Sequence, residues 1–108
     1  MTPALRRKLD ALVERREEVE RLLADPSVAA DQNRFRNLSR EFATLQPVAD
    51  ALAAEAQARS DLAAAEAMRS DPELRELADD EIEAAAGRLQ QLEGGLLAQL
   101  IRKDARDG

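Results

Sequence analysis

No cysteine, histidine, tryptophan or tyrosine occurs in the 108 residues, and only two phenylalanines do. The absence of imidazole and thiol excludes a His/Cys metal site, a cysteine nucleophile and a disulfide, and two rings cannot make a row of stacking platforms for single-stranded nucleic acid. No run approaches the roughly 18 apolar residues that a membrane-spanning helix needs. Arg6, Arg7 and Lys8 lead into more charge and not into the apolar stretch of a signal peptide. These absences predict a soluble, cytoplasmic protein without a membrane partner. What is present is 26 large apolar residues and 22 alanines, enough for one modest core and a single domain.

The net charge of -6 is unevenly spread. Residues 1–40 carry nine basic and seven acidic side chains, whereas residues 41–98 carry four and thirteen. The acidic body and the lack of a basic stripe argue against nucleic-acid binding through the surface as a whole, and favour contact with protein.

Phe35, Leu38, Phe42, Leu45, Ala49, Leu52 and Ala56 recur at alternating steps of three and four, which puts them on one stripe of a helix. The stripe keeps its phase across Pro47. Two readings follow: a continuous helix with a kink there, which the phase favours, or a break between two collinear helices. The other prolines mark boundaries. Thr2 as cap and Pro3 at the first position start a helix whose apolar set is Leu5, Leu9, Leu12, Val19 and Leu23, with Arg16 in the gap. It ends at Ala24, because Pro26 disfavours helical geometry at Asp25. A short connection, 25–30, precedes a second helix capped by Asp31 and running to Arg69, roughly 57 Å if unbroken. Asp71 and Pro72 open a third helix with the seam Leu74, Ala78, Ile82, Ala85, Leu89, Leu92, Leu96 and Leu100. Gly87, Gly94 and Gly95 weaken it, so its last turns are expected to fray. The reading is an all-α, elongated antiparallel three-helix, coiled-coil-like bundle over residues 1–101, with helices at about 3–24, 31–69 and 72–100 and a disordered or linker tail at 102–108.

Candidate chemistry is soon exhausted. The carboxylates Asp79, Asp80, Glu81 and Glu83 lack the glycine and spaced ligands of a calcium loop and read as a solvated face. Gly94 and Gly95 have neither the preceding strand nor the following Lys and Ser or Thr of a phosphate loop. Arg16 is expected to pack its aliphatic stem and reach the rim near Glu20. Arg34, Arg36 and Arg40 are the candidate partner contacts, able to dock on phosphate, although Asp31 and Glu41 dilute them. No catalytic, cofactor or metal site can be assembled, and no small-molecule substrate is expected; an enzyme is the poorest of the functional classes.

Three segments carry a family resemblance: Leu9-Asp10-Ala11-Leu12 with Glu14-Arg15-Arg16-Glu17-Glu18 and Leu22-Leu23-Ala24-Asp25-Pro26; Ala30 through Phe42; and Asp71-Pro72-Glu73-Leu74-Arg75-Glu76-Leu77-Ala78. In order and spacing they resemble the start of the bacterial peptide chain release factor 1 family over residues 1–98. The resemblance implies the helical first domain of a class I factor that terminates translation at UAA and UAG codons. In that family this domain reaches toward the base of the large-subunit stalk of the ribosome and is associated with the recycling GTPase release factor, while codon reading and the Gly-Gly-Gln motif belong to other domains. It therefore implies no catalytic residue here. The family leaves this domain through a Leu-Pro-Lys-Asp-Pro-like turn, where this chain has Arg102 and Ala105 in place of the prolines. Both an excised domain and a truncated relative fit that departure. The alternatives are the same domain of the sister factor reading UAA and UGA, and a free-standing helical scaffold; the isolated chain is expected to be a monomer or weak dimer.

Overall fold

A computed structural model describes residues 1–107, with side chains through Arg102. Among these residues the chain is all-α, with helices α1 (Pro3–Leu23), α2 (Pro26–Ala29), α3 (Gln32–Met68) and α4 (Arg75–Asp107). They fall into two compact units, Met1–Asp50 and Ala51–Gly108, and α3 contributes its first half to one and its second half to the other.

The first unit starts as its sequence dictates. The Thr2 hydroxyl accepts the Leu5 N–H at 3.2 Å and Pro3 takes the first helical position, where its missing N–H costs nothing. Leu9 and Val19 are fully buried on α1, and the half-buried Arg16 fills the gap between them. Val19, Val28 and Leu38 form a core against which Leu22, Leu23 and Phe42 pack. Arg16 meets Phe42 and Gln46, while the later Val19 packs with the earlier Leu38, so contacts run in reverse order and α1 and the first half of α3 are antiparallel.

The segment 25–30, expected as a plain connection, contains a turn of helix. Asp25 caps it in extended geometry, Pro26 supplies a preset φ, and Val28 inserts into the core. Coiling the connection places Val28 against Val19 and Leu38, so its burial and the helical turn go together.

Helix α3 is continuous through Pro47 for 37 residues, so the break is excluded. Pro47 and Ala43 are exposed, which leaves the Ala43 carbonyl that lost its N–H partner open to water. Beyond the proline the buried stripe departs from the predicted one. Val48 is buried where Ala49 was expected to lead, Glu55 is 3% exposed, and Ala56 is exposed. Hydropathy favours Ala56 over a carboxylate, but Glu55 is satisfied by Arg59, which donates to it at 3.5 Å and to Glu93 of α4 at 3.0 Å.

In the second unit the pairs Arg59–Glu93 and Arg69–Asp79 (2.9 Å) again run in reverse order, making α4 antiparallel to the second half of α3. Its buried seam is Ala78, Ala85, Leu96 and Leu100; Ile82, Leu89 and Leu92 are half-buried. Two boundaries differ from expectation. Pro72 lies in a turn before α4, because Asp71 takes the Glu73 N–H on its side chain and the Leu74 N–H on its carbonyl; Leu74 is accordingly exposed. At the other end, α4 does not fray past Gly94, and Arg102 through Asp107 are helical where a tail was expected; with no proline there, nothing stops the helix. Gly108 lies outside the described residues.

A Cβ built on Gly94 or Gly95 meets nothing within 4 Å, and neither residue has a positive φ. Gly94→Ala and Gly95→Ala should each stabilise the chain by about 0.5–1 kcal/mol in urea unfolding. Leu38→Ala, which truncates the core, should cost about 2–5 kcal/mol in the same measurement.

Candidate interaction surface

The three arginines singled out from sequence share one helix but not one face. At roughly 100° per residue Arg40 lies about 40° from Arg36, whereas Arg34 projects about 160° away from it. The structure therefore brings Arg36 and Arg40 together and sends Arg34 to the opposite side, toward the acidic caps. The Arg34 backbone N–H is itself capped by the Asp31 carboxylate at 3.2 Å.

Between α2 and the start of α3 lies an open hollow of about 470 Å³, lined by Ala29, Gln32, Phe35, Arg36 and Ser39. Phe35 is 41% exposed, although its place in the apolar repeat predicts burial. The reason is geometric. The core that closes on α3 reaches Leu38 and Phe42, and Phe35 stands one turn before Leu38, where the chain has already turned into α2. Sequence reasoning missed Phe35 as a surface residue. The available signal was its position in the first turn after the Asp31 cap, at the end of the stripe and not within it.

Further along its length α3 is fixed to α1. Arg15 grips Glu41 with two charge-assisted bonds, Nε to Oε2 at 2.6 Å and a terminal nitrogen to Oε1 at 2.8 Å. These bonds push the Arg15 pKa up, so it is a fixed cation at any working pH. Arg16 donates twice to Gln46 Oε1, at 3.1 and 2.7 Å, and lays its guanidinium over the Phe42 ring, 4.7 Å from the centroid. Glu20 lies within ion-pair distance of Arg16, at 3.9 Å, as expected. Asp31 and Glu41, which dilute the arginines in sequence, are thus engaged with a helix cap and with α1. The guanidinium groups of Arg36 and Arg40 take no part in the ion pairs formed among the described residues.

The N-terminus of α2 is fixed by its own cap. Asp25 Oδ1 accepts from both the backbone N–H and the hydroxyl of Ser27, each at 2.9 Å, and Arg34 adds its charge. The Ser27 bonds, chiefly, hold the Asp25 carboxyl below its ordinary range. Chemically the hollow offers an exposed ring, the Arg36 guanidinium, an amide and a hydroxyl. It holds no nucleophile with an adjacent base. Among the described residues no group of three or more acidic, His or Cys side chains is arranged to hold a metal ion, and no helix is long and apolar enough to cross a membrane.

Comparison with known proteins agrees with the resemblance seen in the residues. Residues 12–108 match the PCRF domain model. Peptide chain release factor 1 of Xylella fastidiosa (strain 9a5c) is 55% identical over 107 residues, which cover 99% of this chain and 30% of that protein. The chain thus spans about a third of the length of this relative. No solved structure matches.

Because the folded state binds the Asp25 proton more weakly than the unfolded chain does, this cap stabilises above the ordinary carboxylate range. The contribution is lost as pH falls through the folded value. Asp25→Asn keeps an acceptor but cannot titrate. The melting-temperature gap between the parent chain and D25N should be widest near neutrality and close on acidification; a gap independent of pH would contradict the assignment.

Proposed function

The chain belongs to the PCRF domain family, and from that membership we propose that it is the helical N-terminal module of a bacterial peptide chain release factor, docking on the ribosome during translation termination. The observation that carries this reading is 55% identity over 107 residues to a protein named peptide chain release factor 1. That name also favours the factor type reading UAA and UAG over the sister type. The module has no catalytic part: the convergent nucleophile, base and oxyanion donors of an active site are missing from the candidate surface. It acts in the cytoplasm, on the large subunit near the stalk base, and the recycling GTPase factor is a second partner on the same reading.

The surface proposed for docking is the α3 face bearing Arg36 and Arg40, with the exposed Phe35 about 100° round the helix from Arg36 on the side away from Arg40. Arg34, on the other side of α3, contributes less. The two guanidinium groups suit an anionic partner and give contact that weakens as salt rises.

The isolated chain should co-sediment with 70S ribosomes at low ionic strength and release no peptide from a termination complex. Replacing Arg36 and Arg40 together by glutamate should weaken sedimentation at least about tenfold, about 1.4 kcal/mol, with helicity unchanged. Stop-codon-dependent release by these residues alone would contradict the reading, as would a stable micromolar dimer with no affinity for ribosomes.

A further inference from the structure

One exposed face of α4 carries no charge in a chain that is rich in it. Residues 84–101 include two charged side chains, Arg88 and Glu93, although 35% of the whole chain is charged. At roughly 100° per residue Gly87, Gly94 and Ile101 fall on one line of the helix. Gln90 and Leu97 flank that line on one edge, Gln91 and Ala98 on the other, all within about 60° of it. Every one of these residues is exposed, Ile101 at 62% and Leu97 at 39%. The buried seam, Ala78, Ala85, Leu96 and Leu100, occupies the opposite side of the helix. A single exposed leucine is ordinary, but two large apolar side chains one turn apart on an uncharged face about 21 Å long are a surface for a partner.

We propose that this face pairs with the same face of a second copy of the chain, the two α4 helices running antiparallel about a two-fold axis at Gly94. Such a contact is isologous, so each residue must fit the residue equally far on the other side of Gly94. Ile101 then meets Gly87, Leu97 meets Gln90 and Ala98 meets Gln91, so that large side chains face small or flexible ones. A Cβ built on Gly87 or Gly94 meets nothing within 4 Å, so packing within the chain requires neither glycine. In the pair, Gly87 leaves room for Ile101 and Gly94 lets the two backbones approach.

The charges that bound the face set the direction. It begins beside Asp80 and Glu83 and ends beside Arg102, and none of these three takes part in the ion pairs formed among the described residues. Antiparallel pairing brings Arg102 of each copy to the acidic end of the other, whereas parallel pairing sets like charges together and leaves glycine facing glycine. Both matches are matches of the face with itself, which selects a second copy over an unrelated helix. Contact along about 21 Å of helix is smaller than a standard interface, so the pair is weak, with a dissociation constant of roughly 10 µM to 1 mM.

Sedimentation equilibrium of the chain should show the average mass rising from one copy toward two across that concentration range. Ile101→Lys should weaken pairing at least about tenfold with an unchanged circular dichroism spectrum. Gly94→Leu should weaken it as much while raising resistance to urea in dilute solution, a combination that a purely structural role for Gly94 does not give. Arg102→Glu should also weaken it, and adding Asp80→Lys and Glu83→Lys should restore it. The chain has no cysteine, so Ala98→Cys mixed with Gln91→Cys reports direction: a short bismaleimide should join the two variants to each other. Replacing Arg36 and Arg40 together by glutamate should leave pairing unchanged, which separates it from ribosome docking. A chain that is monomeric at 1 mM overturns the proposal, as do I101K and G94L variants that pair as the parent does. Cross-linking of A98C to itself and not to Q91C would mean parallel helices and overturns it too.

Discussion

A proline inside a 37-residue helix is the constraint on which the structure depends, because both compact units draw a wall from α3. Pro47 removes one backbone hydrogen bond and crowds the carbonyl of Ala43. Two features make this tolerable. The affected edge faces solvent, so water can serve the freed carbonyl. Gln46 is also held from both directions: its Oε1 accepts two bonds from Arg16 of α1, and its amide donates to Asp50 at 2.8 Å, spanning the proline. Each such bond is modest, of order 1 kcal/mol, but together they tie the turn where the backbone ladder is weakest.

The candidate surface inherits its rigidity from the same arrangement. Arg15 and Arg16 fix one face of α3 to α1 through Glu41, Gln46 and Phe42, which leaves the opposite face free to present Arg36 and Arg40. Asp25 and Asp31 then fix where α2 meets the start of α3, and so the shape of the hollow around Phe35. The chemistry available is recognition. The hollow's members are a ring, one cation and two neutral polar groups, with the second cation, Arg40, on the next turn of α3 beside Arg36.

Much of the fold was legible in the residues. Thr2-Pro3 and Asp31 set helix starts, and the three-four rhythm gave the apolar seam around Leu38 and Leu45. Arg16 in the gap of α1 behaved as a rim residue near Glu20, and it also bonds Gln46 across the helices, a partner that the spacing did not announce. The failures have physical causes. Glu55 enters the buried stripe because Arg59 neutralises it, a partnership that hydropathy cannot see. Pro72 stays outside α4 because the Asp71 side chain and carbonyl close a turn there first. Phe35 looked like core because periodicity reports the face of a helix but not where the neighbouring helix stops covering it. The family, in contrast, was carried by short polar-apolar strings such as Ala30 to Phe42, and the match over residues 12–108 agrees with them.

The most direct test of this account is the backbone state of residues 43–51 by NMR, from Cα secondary shifts and amide exchange in the intact chain. Uninterrupted helical shifts through Gln46, Pro47 and Val48, with slowed exchange at Asp50 and Ala51, are predicted. Random-coil shifts on both sides of Pro47 with unprotected amides there would mean that α3 is two helices joined by a hinge, and would contradict it.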